Sequence, residues 1–310
     1  MMSFLRRKAP MVSLLALCAA CATEPLPPKP APPLPFPMGV PSAFATENPS
    51  WVTPTAPFKI ADNIYYVGTE GLAVYLISTL DGLILLDGGM PGYEQLIVDS
   101  IESLGFDIDD VRVLLNSHAH FDHSGGLAML QAASGAELIA SEGDRSALEN
   151  GFYLGDEDDP NLAAPPIKVS RTIADGQSID LGGTRMTAHI TPGHTRGCTS
   201  WTMTVRLQRM PTDVLFFCSA TVAGNSLVPP QYDGIVDDYR ETFDKTRNWK
   251  PDIFLSNHPQ FFGMTEKRAR LAAGDEAAFI DRETFPAMMT RLEAAFESRL
   301  AEEQSVGDQD

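Results

Sequence analysis

Four side chains able to bind a metal fall within six residues in the run Asn116-Ser117-His118-Ala119-His120-Phe121-Asp122-His123-Ser124-Gly125-Gly126. Imidazole nitrogen and carboxylate oxygen are the donors zinc takes where one coordination position stays open, and an open position lets the metal activate water. The run follows the apolar stretch Val111 to Leu115, so a buried strand should give way to a loop and then to a helix opening at Ser124. In such a turn His118 and His120 point to one side and Asp122 and His123 to the other, and one segment feeds two adjacent metals. Two further histidines sit in matching contexts. His194, in Thr191-Pro192-Gly193-His194-Thr195, follows Met186 to Ile190, and His258, in Asn257-His258-Pro259, follows Ile253 to Leu255. Five of the six histidines thus stand at strand-to-loop transitions, where one rim of a sheet collects its reactive side chains. His189 lies inside a strand-like run and reads as a structural histidine. The acidic run Asp156-Glu157-Asp158-Asp159 has no histidine beside it and reads as a solvated loop, while Phe152, Tyr153 and Leu154 before it are candidates for a flap over the site.

The elements that must position these residues are legible from period and punctuation. Phe58 to Ile60, Ile64 to Val67, Leu72 to Ile77 and Leu83 to Leu86 read as short strands, with a hairpin signal at Asp81-Gly82. Tyr93, Leu96, Ile97, Ile101 and Leu104 recur at helical spacing, and Gly105 is placed to end that helix. A helix over Leu127 to Ala133 and a strand over Ala136 to Ala140 follow. Strands Trp201 to Leu207 and Asp213 to Cys218 flank a polar turn, and the last third is helical, with Asp237 to Asn248 as one segment and Phe285, Met289, Leu292, Phe296 and Leu300 striping another. This order suits a layered α/β domain with sheet inside and helices outside. With 310 residues, 44% apolar and 21% charged, the chain has the composition of a globular protein. Its net charge of −18 argues against nucleic acid as partner, because a polyanion gains nothing from counterion release.

The ends read differently from the body. Residues 1–20 carry Arg6, Arg7 and Lys8 and then an apolar run, the pattern of a secretory signal peptide. Leu17-Cys18-Ala19-Ala20-Cys21 resembles a lipoprotein box with Cys21 as the lipidated residue, although Cys18 stands where the box has leucine, and ordinary cleavage near Ala20 or Ala22 is the alternative. Residues 21–50 form a Pro-rich linker, 51–301 the folded domain and 302–310 a disordered acidic tail. Export places the chain in the periplasm, with lipidation anchoring it to the outer membrane.

The HxHxDH run, the later Gly-His and the late histidine together resemble the metallo-β-lactamase fold superfamily over about Trp51 to Leu300. The resemblance implies an αββα sandwich, two mixed sheets packed face to face with helices outside and metals in a groove at one edge. Thioesterases and nucleases of the superfamily carry a bridging Asp after the Gly-His strand, whereas Val214 to Gly224 here holds none. Flavo-diiron proteins have Glu where this chain has His120. Ala56 to Ala61, Tyr66 to Thr69, Thr191 to Thr195, Cys218 to Thr221 and Asp238-Tyr239-Arg240 are similar to the third subclass of class B β-lactamases. On that resemblance two Zn2+ are held, zinc one by His118, His120 and His194, and zinc two by Asp122, His123 and His258. A hydroxide between them attacks the β-lactam carbonyl, with Asp122, His118, His120 and His194 as the catalytic set, and Ser219 and Thr221 bind the substrate carboxylate. Hydrolysis of penicillins, cephalosporins and carbapenems, hence antibiotic resistance, is the implied activity. The implied partner is the small-molecule β-lactam alone, with the chain a monomer that meets membrane only through its lipid.

Cys218 could serve as a metal thiolate, but its side chain and that of Ser219 alternate on a strand, so only one faces the metal. A hairpin centred near Gln208-Arg209 places Cys198 about opposite Cys218, and in an oxidising compartment that register favours a disulfide between them. The rival readings are a lactonase or thioesterase on the same scaffold and a tethered, non-catalytic zinc protein.

Overall fold

The computed structural model describes residues 43–307. The signal peptide, Cys21 and the linker as far as residue 42 lie outside the described residues. Seven strands form the first sheet in sequence order: β1 (Phe58–Ala61), β2 (Ile64–Tyr66), β3 (Tyr75–Thr79), β4 (Gly82–Leu86), β5 (Val111–Leu115), β6 (Glu137–Ser141) and β7 (Arg171–Ile173). The first four are antiparallel and the last four parallel, so the sheet is mixed. The second sheet contains β8 (Ser178–Leu181), β9 (Thr184–Ile190), β10 (Thr199–Leu207), β11 (Met210–Phe217) and β12 (Ile253–Ser256), in the order β12-β11-β10-β9-β8, with only the β11 and β12 pair parallel.

Alternation along the strands shows why both faces of the first sheet are covered. Ile77, Ile84, Leu86, Val113 and Leu115 share one core with Ala188, Trp201, Met203 and Phe216 of the second sheet. Leu76, Leu83, Leu85, Leu114 and Leu138 belong to another, with Ile97, Ile101, Leu127, Leu130 and Leu148. The helices run in chain order as α1 (Ala43–Glu47), α2 (Glu94–Ser103), α3 (Phe121–Ser124), α4 (Leu127–Ser134), α5 (Glu142–Asn150), α6 (Ile235–Thr246), α7 (Met264–Ala272) and α8 (Thr284–Gly307). Residues of α2, α4 and α5 cover the outer face of the first sheet, and Tyr239, Phe243, Phe285 and Phe296 of α6 and α8 join the core that contains the second. This is the αββα sandwich. Trp201, fully buried, donates Nε1–H to the Asn116 carbonyl at 3.2 Å and so fastens β10 to the end of β5, where the histidine run begins.

Local turn chemistry agrees with the sequence in kind and differs in detail. Gln208 and Arg209 both have positive φ, 49° and 69°, the two-residue hairpin turn whose twist matches the strands it joins. In the earlier hairpin the turn is Leu80-Asp81, and Gly82 is already the first residue of β4. Gly82 has φ of 130°, and a Cβ there would meet the Asp110 carbonyl at 2.8 Å, so glycine is required one position later than the dipeptide signal suggests.

Two boundaries need correction. Folding does not wait for Trp51: α1 and a short 3-10 turn over Pro49–Trp51 precede it, Ala45 is buried, and the Phe44 ring lies 5.0 Å from that of Phe121. The Pro-rich composition hid this because the apolar anchors Phe44 and Ala45 fall after the last prolines of the run. The acidic tail is not disordered from Glu302, since α8 continues to Gly307. Glu303 supplies the reason. Its carboxylate accepts from the backbone N–H groups of Leu227 and Val228 at 2.7 and 2.8 Å and pairs with Arg299 one turn back.

Candidate metal centre

The histidine run leaves β5 at Leu115 and, two residues into the run, binds a buried carboxylate. Asp87, just past the end of the neighbouring parallel strand β4, accepts from Ser117 N–H at 2.7 Å, Ser117 Oγ at 2.7 Å and Asn116 Nδ2 at 3.2 Å. The Ser117 hydroxyl proton is committed to Asp87, so its oxygen accepts from His118 Nδ1 at 3.0 Å and leaves His118 Nε2 a bare lone pair. Burial pushes Asp87 up to about 6, against the opposing pull of His123. On the other side of the run, Asp144 of α5 accepts from Ala119 N–H at 2.9 Å, Thr195 Oγ1 at 2.9 Å and Gly197 N–H at 2.8 Å. One carboxylate thereby joins the loop bearing His118 and His120 to the loop bearing His194. Burial raises Asp144 also to about 6.

The helical turn begins earlier than the sequence suggests. α3 opens at Phe121, and Ser124 is inside it, its hydroxyl donating back to the His120 carbonyl at 3.0 Å. Asp122 and His123 are therefore carried by a helix and not by the loop. Asp122 Oδ2 lies 3.0 Å from His123 Nε2.

Two groups of donors result. His118, His120 and His194 place one nitrogen each within 4.8 Å of one another, with ring centroids 4.5–4.7 Å apart, and all three are buried. Beside them, Asp122 Oδ2, His123 Nε2 and His258 Nε2 lie 3.0–3.5 Å apart. His118, Asp122 and His123 are also mutually within 4.8 Å, so the two groups adjoin. All six residues expected from the sequence meet at this one rim. His258 is the most open of them and donates Nδ1–H to the Gly71 carbonyl at 3.3 Å. His194 donates Nδ1–H to the Thr221 carbonyl at 2.7 Å.

Electrostatics make the first group a set of lone pairs. Burial lowers His118 and His120 well below the ordinary histidine range and takes His194 to about 4. Burial disfavours charge on Asp122, yet the adjacent His123 outweighs it and holds the carboxyl well below its usual range. Asp122 in turn raises His123 against the same burial. Among the described residues, His118 Nε2 and His123 Nδ1 are buried side-chain atoms without a hydrogen-bond partner. Three imidazoles held neutral by burial beside an ionised carboxylate, with a bare buried nitrogen on His118, fit a divalent cation and are costly without one.

The remaining sequence candidates divide. Cys198 and Cys218 form a disulfide with Cα atoms 5.9 Å apart. They bond just beyond the ends of β10 and β11, where the ladder has stopped, and Cys218 is thereby removed from any role as a thiolate ligand. Ser219 is buried, its hydroxyl 3.1 Å from that of Thr221, and Thr221 Oγ1 is 3.3 Å from His194 Nδ1. Both thus border the first group. His189 is indeed a strand residue, bonded through Nε2 to Thr202 Oγ1 at 2.8 Å and packed on Trp249. The flap reading of residues 152–154 is wrong. Phe152 packs in the outer core, and the buried Tyr153 ring lies flat on His120, with centroids 4.3 Å apart and planes 13° apart.

Asp87, Asp144 and Asn225 were not singled out from sequence. Asp87 had a usable signal, because it ends an apolar strand and precedes Gly88-Gly89 as the histidines follow β5. Asp144 and Asn225 had none, since their partners are remote in sequence. Gly193 is needed for close approach: φ is 124°, and a Cβ would meet the Tyr239 ring at 2.7 Å.

The profile of the metallo-β-lactamase superfamily matches residues 68–258. Among solved structures, BJP-1, a subclass B3 metallo-β-lactamase of Bradyrhizobium japonicum, is 47% identical with a TM-score of 0.82, covering 84% of this chain and 99% of that one. FEZ-1 metallo-β-lactamase from Legionella gormanii is 34% identical with a TM-score of 0.79, covering 81% and 98%. Among curated proteins, the hydroxyacylglutathione hydrolase of Rhodospirillum rubrum is 30% identical over 107 residues, 34% of each chain, so that similarity spans about a third of the relative's length.

Proposed function

Because the chain belongs to the metallo-β-lactamase superfamily and groups with its subclass B3 structures, we propose that it is a zinc-dependent hydrolase that opens the amide bond of penicillins, cephalosporins and carbapenems and so confers antibiotic resistance. The observation that carries this reading is the pair of adjoining donor groups, bordered by Ser219 with no further carboxylate or free thiolate at that position. His118, His120 and His194 hold one zinc, and Asp122, His123 and His258 hold the second. Bound zinc supplies a water acidified to neutral pH and a Lewis acid for the carbonyl.

The protein's own groups do the rest. Burial keeps the three histidines of the first group neutral and hence able to ligate at neutral pH, and Asp122 stays ionised between the groups. Asp87 and the Thr221 carbonyl fix which ring nitrogen of His118 and His194 faces the cation. Ser219 and Thr221 offer hydroxyls to the carboxylate that these drugs carry. In the same reading the chain is exported to the periplasm through residues 1–20, is tethered to the outer membrane by lipidated Cys21, and works as a monomer.

Turnover by the purified protein, with and without chelator, tests the proposal against lactone and thioester panels run in parallel. Chelator-sensitive cleavage of β-lactams, restored by zinc, is expected. Its absence at every zinc concentration would refute the reading, and preferential thioester cleavage would favour the hydroxyacylglutathione hydrolase-like alternative. His118→Ala should lose one equivalent of bound metal and nearly all kcat. Metal content measured beside the rate checks both.

A further inference from the structure

Three residues from separate segments meet behind the first donor group. Tyr153 follows α5, Asn225 lies in the loop after β11, and Tyr239 is in α6. Asn225 is buried and joins the other two. Its Oδ1 accepts from Tyr153 OH at 2.8 Å, and its Nδ2 donates to the His194 carbonyl at 3.0 Å and to Tyr239 OH at 3.2 Å. Tyr239 OH donates to the Thr221 carbonyl at 2.8 Å, the same oxygen that accepts from His194 Nδ1–H at 2.7 Å.

The connectivity fixes two histidines from outside. His194 is held at its backbone by Asn225 and at its ring by a carbonyl that Tyr239 helps to orient. His120 is held by the flat face of Tyr153, whose hydroxyl end is anchored on Asn225. The hydroxyl of Tyr153 is spent on the amide, so it serves to hold the ring in place and not to touch a reacting atom. Nothing in this strut reaches Asp122, His123 or His258 by a hydrogen bond.

We infer that Tyr153, Asn225 and Tyr239 are positioning residues that set the spacing of His120 and His194, and hence the metal affinity of the first group alone. The inference rests on the reading of the cluster as a zinc centre. A loss at the first group with the second unchanged is its signature, since general loosening of the fold weakens both.

Stepwise zinc titration with a competing chromophoric chelator, alongside the absorption spectrum of the cobalt-substituted protein, tests it without recourse to activity. Tyr153→Phe removes one hydrogen bond and keeps the ring, Tyr153→Leu removes the stack, and Asn225→Asp keeps the shape while replacing the two donors. Outer partners of metal ligands are typically worth about 10–100-fold in affinity. Asn225→Asp and Tyr153→Leu should weaken the step that fills the first group by that order and alter the cobalt bands, with Tyr153→Phe a smaller change in the same direction. The other step should keep its wild-type constant. If all three variants bind both metals as wild type does, the strut has no positioning role. If both steps weaken in proportion, it is merely structural and the inference is overturned. Wild type that binds no metal defeats the zinc reading itself, a result distinct from either. Should Asn225→Asp not fold, the two Tyr153 variants decide the matter.

Discussion

Single side chains in this protein act chiefly by deciding which atom of a neighbour is free. Ser117 has one hydroxyl proton and uses it in a hydrogen bond to Asp87, so His118 donates from Nδ1 and presents Nε2 to the cluster. The same economy operates far from the site at Lys267, which is buried and whose Nζ lies 2.9 Å from Asp281. Burial raises Asp281, but Thr284 and Lys267 outweigh it and hold the carboxyl well below its usual range. A depressed acid stabilises the fold above its unfolded value near 4, and that contribution is lost as pH falls toward the folded value. Asp281→Asn should therefore cost about 2–3 kcal/mol at pH 7, somewhat under the 3–5 kcal/mol of a fully buried broken pair because Asp281 keeps some contact with water. Urea melts of wild type and variant at pH 7 and pH 3 check this, and the gap between them should shrink on acidification.

At the scale of elements, the site depends on strand ends being held in register. β4 and β5 end side by side, which brings Asp87 under the histidine run. β10 and β11 end together at the disulfide, from which the loops carrying His194 and Ser219 diverge. The bond closes a loop with a sequence separation of 20, for which chain entropy predicts about 3 kcal/mol of stabilisation. Replacing both cysteines with alanine should lower stability by about 2–4 kcal/mol in a chemical melt. The metal stoichiometry should stay at that of wild type, because neither sulfur is a ligand. A loss of metal in the folded double variant would show that Cys218 belongs to the centre after all.

For the molecule as a whole, the centre is a cost when empty and a staple when filled. Its six clustered donors come from the segment after β5, the loop after β9 and the loop after β12, so cations held there would tie both sheets together. Ligand that binds only the folded state stabilises it by about 1.4 kcal/mol for each tenfold rise in free concentration above Kd, for each site. Removal of metal should lower Tm, and stepwise return of zinc should raise it with the logarithm of free zinc. A Tm indifferent to chelator would mean that the cluster holds no ion in solution. The net charge of −18 bears on partners and not on this balance, which is set by a few buried donors.

Much of the centre was legible before folding, because five histidines and an aspartate stand where apolar strands stop, and ligand chemistry restricts what such a set can do. The layered architecture was legible for a similar reason, since strand and helix periods follow from local burial. What local pattern left open was decided by partners distant in the chain. Whether Cys218 was a ligand or a disulfide half depended on where two strands end, and whether 152–154 was a flap depended on Asn225, 72 residues from Tyr153. The extents of α1 and α8 depended on Phe121 and on the Leu227 and Val228 amides. Sequence alone determined the donor set and the class of chemistry, because those reside in residue type and local context. Tertiary structure alone decided the grouping of donors, the free nitrogen on each ring and the outer residues that hold them, because a hydrogen bond across remote segments leaves no periodic trace in either one.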